Sequence, residues 1–259
     1  MIYSKSTYIK GAIYAPLMLL LTILTGCSFT NSQPAIVKKM ILVVNYPNNV
    51  LIKKKLTNDN ILDTIFIYNS NGFTIYKLPP HQVLETYQRL YGTEPIFIFK
   101  KGSKNGCLLG SILDASAGRQ LPVDSILAAN AFADVKFVVN PTDSLVETID
   151  NGHSGQFIEK FVPRADAPKD YFDSVFHYYS KSYTSLDYTF SPILDSIKGM
   201  KLYRIRLMYN EKYSEKYKIT LPKREYLFNI EPLDITQSDD KIKRLFEQVK
   251  ANASFYHLQ

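Results

Sequence analysis

The chain has 259 residues, with 31 Lys and Arg against 24 Asp and Glu, a formal charge of +7, two cysteines and no tryptophan. That length is enough for a sizeable core, as one large domain or two small ones, and two cysteines exclude a scaffold built on disulfides. So mild a basic excess matches solubility rather than a nucleic-acid footprint, and no nucleic-acid partner is expected.

Lys5 and Lys10 precede an apolar run from Ala12 to Leu24, the order of a secretory leader. The run is shorter than the about 20 residues that a spanning helix needs, and Tyr14, Pro16 and Thr22 interrupt it. A permanent transmembrane anchor is therefore not expected. The run closes on Leu24, Thr25, Gly26 and Cys27. These four residues resemble the lipobox of bacterial lipoproteins, in which the cysteine thiol receives a diacylglyceryl group and the chain is cut just before it. The resemblance covers the leader alone. It implies a signal peptide over residues 1–26, cleavage between Gly26 and Cys27, and a membrane anchor of acyl chains, palmitate among them, on Cys27. Ordinary cleavage with Cys27 left unmodified is the alternative. One acyl chain holds a protein marginally and two or more hold it stably. Ser28 follows Cys27, where an aspartate retains a lipoprotein at the inner membrane in the best-known sorting rule. The resemblance thus implies the cell envelope, at the outer membrane and facing the periplasm.

Residues 27–36 are polar and read as a lipidated tether, and residues 37–259 as the mature domain. No Asp or Glu occurs between Cys27 and Asn58, while Lys38, Lys39, Lys53, Lys54 and Lys55 all do. The end nearest the membrane is positive, and near anionic lipid each such lysine adds about 1 kcal/mol of attraction. A solvated strand face accounts for the same pattern. Strands are expected over Met40–Val44, Val50–Leu56, Ile61–Tyr68 and Phe73–Leu78, separated by Pro47–Asn49 and Asn58–Asn60 and closed by a hairpin at Asn71 and Gly72. A helix is expected over His81–Tyr91, strands over Pro95–Phe99 and Val135–Val139, and a helix over Val123–Phe132. Cys107 lies among apolar neighbours and reads as a buried, inert thiol. The polar stretch Asn140–Gly155 reads as a long loop or an internal boundary.

Ten of the 19 tyrosines fall between Tyr171 and Tyr226. Phe172, Val175, Phe176 and Tyr179 recur at helical steps and predict a helix over Pro168–Ser180. Tyr203, Ile205, Leu207 and Tyr209 alternate, as do Tyr213, Tyr217, Ile219 and Leu221, which predicts a hairpin with its tyrosine face buried. Arg204, Arg206, Lys216 and Lys218 then fall on the opposite face, the candidate surface for a partner. Tyr226, Phe228 and Ile230 predict one more strand. A last helix, capped at Ser238 or Asp239, carries Ile242, Leu245, Phe246 and Val249 on one stripe.

Motifs for chemistry are sparse. Gly152, His153, Ser154 and Gly155 partly match a nucleophile elbow, but Gln156 stands where the closing glycine belongs and the preceding stretch is too polar for a buried strand. Asp173 and His177 have the spacing of two metal ligands on one helix face, with Asp166 and Asp170 nearby, yet the same positions suit a solvated face, and no third ligand is identifiable. The chain has no phosphate-cradling glycine loop, zinc-type cysteine pair or nucleotide fingerprint, so neither a cofactor nor a metal is expected. The expectation is an α+β domain, rich in antiparallel sheet with a few packed helices. Its expected role is binding or assembly, with an envelope protein as the partner, and a hydrolase using Ser154 and His153 is the runner-up.

Overall fold

The structure, a computed structural model, describes residues 36–52, 55–78, 95–110, 118–130, 143–151, 155–167, 171–215 and 218–252. The expected leader with Cys27, the expected helix at 81–91 and the expected strand at 135–139 lie outside them. The described residues belong to one compact unit, which begins at Ile36.

In chain order its elements are β1 (Lys38–Ile52), β2 (Lys55–Ser70), β3 (Phe73–Lys77), β4 (Ile96–Lys100), β5 (Asn105–Leu109), β6 (Arg119–Pro122) and α1 (Val123–Asn130). There follow β7 (Asp143–Asn151), β8 (Gln156–Pro163), β9 (Ser174–Ser180), α2 (Pro192–Lys198), β10 (Lys201–Tyr209), β11 (Lys212–Ser214) and β12 (Ile219–Leu221). β13 (Arg224–Leu233) and α3 (Asp240–Ala251) close the described chain. Eleven strands form one antiparallel sheet in the order β6-β5-β4-β3-β2-β1-β13-β10-β9-β8-β7, and β11 and β12 make a separate ribbon. The expected α+β class is thus corrected: the fold is an open antiparallel sheet, with short helices laid on its faces rather than a helical layer.

Four local readings change with it, the first being the turn expected at Asn58–Asn60, which lies inside β2 and pairs with Pro47–Asn49 of β1. The helix expected over 168–180 is strand β9, whose Val175, His177 and Tyr179 are buried on one face. Its other face carries the aromatic Phe176 and Tyr178, so the two-residue alternation was hidden and a three-to-four spacing arose by coincidence. β1 runs straight through Pro47, because its pairing with β13 covers only Lys39 to Asn45. Beyond that point β1 has, among the described residues, no strand on that side, where a residue without an N–H is tolerated. Asp143–Asn151, expected as loop, is the edge strand β7, paired along its length to β8. The Asn71–Gly72 hairpin forms as expected, with φ of 51° and 79°, values that asparagine and glycine reach at least cost.

The sheet buries both faces. One carries Met40, Leu42, Val44, Ile65, Ile67, Tyr76 and Phe97, and is covered by Val123 and Ile126 of α1 and by Tyr188, Phe190 and Leu194 from the segment that ends in α2. The second carries Tyr68, Ile75, Ile96, Ile98, Cys107 and Leu109 against α3. The α3 stripe of Ile242, Leu245, Phe246 and Val249 is buried as the sequence indicates, each side chain contributing about 1.5–3 kcal/mol. Cys107 is buried and free, and burial pushes its thiol up to about 11. Gly118 makes that burial feasible, since a Cβ there would stand 2.1 Å from the Cys107 Sγ.

Candidate functional site

The tyrosine hairpin expected from the sequence does not form. β10 lies between β9 and β13, while Tyr213 belongs to the β11–β12 ribbon and is 54% exposed. Tyr203 sits at a register shift and packs its buried ring against Tyr178 and Arg204, whereas Ile205 faces the core beside His177. Arg204 and Arg206 point the other way, as alternation requires, but their charges are already engaged. The Arg206 guanidinium donates to both carboxylate oxygens of Glu225 at 2.9 and 3.0 Å, and Arg204 Nε donates to the Asn229 amide oxygen at 2.9 Å. Both guanidinium groups also lie over aromatic rings, Arg204 over Tyr178 and Arg206 over Phe176. Lys218 sits apart in the turn of the ribbon, paired to Glu215. Lys216 and Tyr217 lie outside the described residues, as do His153 and Ser154.

Asp173 and His177 do not form a ligand pair. On a strand, four residues span about 13 Å. Asp173 instead accepts from the backbone N–H of Asn210, and His177 is buried beside Phe161 with Nδ1 3.5 Å from the Tyr179 hydroxyl. Burial, and then the charge of Lys198, lower the His177 imidazole to about 4, so it is neutral at pH 7. Glu159, also buried, pairs with Lys198 at the last turn of α2. Asp195 of α2 accepts from the Thr189 hydroxyl and from the Leu202 N–H, both at 2.7 Å. These polar groups satisfy one another and fasten α2 and the preceding segment to the sheet.

That fastened segment roofs a cavity of about 510 Å³, inside the range of about 300–1,000 Å³ typical of small-molecule sites. Its floor follows from strand register. Lys38 opposes Asn69, Asn69 opposes Thr74, and Thr74 opposes Phe99, so the four side chains form one row across β1 to β4 on the same face. The next row is Met40, Ile67, Tyr76 and Phe97, which is wholly core. The packed core thus ends at a polar row. Leu127 of α1 and Asp187, Tyr188 and Thr189 of the roof close the space, and Lys101 reaches across the mouth to Asp187 at 3.6 Å. Burial pushes the hydroxyls of Tyr76 and Tyr188 up, so both are neutral donors.

Besides Ser70, whose Oγ also lacks a partner, the polar group that protein atoms leave incomplete among the described residues lining this cavity is Asn69. Its residue is 9% exposed, its Oδ1 accepts from the Thr74 hydroxyl at 2.7 Å, and its Nδ2 has no hydrogen-bond partner. An amide in that state costs about 1–3 kcal/mol when buried. Asn69 was not among the residues the sequence singled out. The available signal was parity, because Ile65, Ile67 and Asn69 lie on one strand face and place an amide at a core position.

No family model matches the chain, and no curated protein matches it. One solved structure is similar over 80% of this chain and 90% of its own, a LolA superfamily protein from Nitrosomonas europaea, at 8% identity and a TM-score of 0.22. That score is well below the level at which two chains share a fold.

Proposed function

We propose that the chain is a lipid-anchored protein of the bacterial cell envelope that acts by binding or assembly rather than catalysis, with the cavity between β1–β4 and the Asp187–Thr189 roof as its binding site. The observation that carries the binding half is the buried, unpartnered Asn69 Nδ2 at the floor of an aromatic-lined volume. Buried polar groups are ordinarily hydrogen-bonded, so an unpartnered amide calls for an acceptor that a water, an ion or a ligand can supply. The anchoring half rests on Leu24, Thr25, Gly26 and Cys27, and Ser28 supports an outer-membrane, periplasm-facing position. Among the described residues no helix is long and apolar enough to cross a membrane.

Each half has its own test. Cys27→Ser is expected to abolish incorporation of labelled fatty acid and release the protein from membranes, and unchanged membrane partition overturns the anchor. Protease added to intact cells is expected to spare the protein, and digestion overturns the periplasmic placement. For the cavity, native mass spectrometry of protein taken from envelopes is expected to show a bound small molecule that Leu127→Trp removes. A retained adduct in that variant places the site elsewhere.

A further inference from the structure

The cavity's own chemistry selects among ligands, given the binding role proposed above. Its walls are apolar, with the Tyr76 and Phe99 rings stacked 5.9 Å apart and Leu127 above them, so the body of a ligand has to be apolar. Its polar end has a sign. The unpartnered Asn69 Nδ2 is a donor, and Lys38 is the neighbour of Asn69 across the β1–β2 ladder. At the mouth Lys101 is offset by Asp187, leaving one net positive charge along the polar row. A phosphate monoester carries close to two negative charges at neutral pH and overshoots that balance, whereas a carboxylate matches it and accepts from both an amide and an ammonium. We propose that the cavity takes a carboxylate-headed amphiphile, with the carboxylate on Asn69 Nδ2 and Lys38 and the apolar body against Tyr76, Phe99 and Leu127.

The test uses the mature chain carrying Cys27→Ser, so that no detergent competes, with octanoate and the neutral octanamide as probes in calorimetric titration. Octanoate is expected to bind at least about tenfold more tightly than octanamide, a difference of about 1.4 kcal/mol, and to weaken as salt is raised. Asn69→Asp and Lys38→Glu are each expected to weaken octanoate about tenfold or more while changing octanamide little. Lys38 is exposed, so its variant does not depend on refolding of the core. Leu127→Trp is expected to abolish both. Equal affinity for the two probes, with both lost in Leu127→Trp, overturns the carboxylate while the cavity stands as the site. Octanoate binding that survives Leu127→Trp overturns the carboxylate proposal and the cavity reading together. Absence of measurable octanoate binding overturns the proposed ligand class, and an adduct seen by mass spectrometry then keeps the cavity reading alive on its own.

Discussion

Asp239 stays ionised in a nearly closed environment because four donors converge on it: Lys39 Nζ, the Tyr68 hydroxyl, and both the N–H and the hydroxyl of Thr236. Burial alone would raise its carboxyl, but the bonds from Thr236, Lys39 and Tyr68 outweigh it and hold the group down at about 2, against an ordinary 3.8. A depressed carboxylate contributes stability that is present above the unfolded value and lost as pH falls through the folded one. Asp239→Asn is therefore expected to flatten the fall in melting temperature between about pH 4 and 2. Because Lys39 then loses its buried partner, it is also expected to cost about 3–5 kcal/mol at pH 7. His177 works with the same sign in a less acidic window. Its imidazole is depressed to about 4, so below about pH 6.5 the unfolded chain takes up a proton that the native chain refuses. Stability is expected to drain by about 3 kcal/mol as pH falls from 6.5 to 4, and His177→Leu to remove that slope in melts across the same range. Glu159, Lys198 and Tyr179 face this imidazole.

Helix α3 is a single amphipathic element on a sheet face that, among the described residues, has no other cover over β2 to β5. Leu245 is fully buried there beside Val249 and Ile242. Leu245→Ala is expected to cost about 2–5 kcal/mol in urea unfolding, the range for truncating a buried leucine. The Cys107 thiol, inert in the native protein because burial suppresses its thiolate, reports on the same element. A thiol reagent at mildly alkaline pH is expected to leave it unlabelled in the parent chain and to label it faster in Leu245→Ala. Equal labelling rates would show that α3 does not shield β5. The edge strand β7 is an element with a different exposure. Leu145, Val146 and Ile149 are 51%, 52% and 40% exposed along a strand that, among the described residues, has one unpaired side, the arrangement that invites edge-to-edge pairing. The register shift between Leu145 and Glu147 bends the strand and limits that pairing. Val146→Lys is expected to raise solubility at high concentration while shifting stability by less than about 0.5 kcal/mol.

For the molecule as a whole, the chain determined some features directly because their causes are local. The Asn71–Gly72 turn follows from two residues that tolerate positive φ, the α3 stripe from its own three-to-four spacing, and the inert Cys107 from its apolar neighbours. The expected leader has causes of the same local kind, being read from two lysines, an apolar run and four residues. Other features were settled between distant segments and only the tertiary structure decided them. Whether 174–180 coils or extends depends on neighbours β8 and β10, which bury one of its faces and pair both of its edges, and the segment's own spacing satisfies either form. The partner of β10 is β13 rather than the nearer 212–221, because the ladder between Arg204–Tyr209 and Arg224–Asn229 outweighs a short loop. The cavity is decided at the longest range of all. Its floor is a row drawn from four strands and its roof lies more than a hundred residues from Asn69, so no window of the chain contains both the donor and the volume it faces.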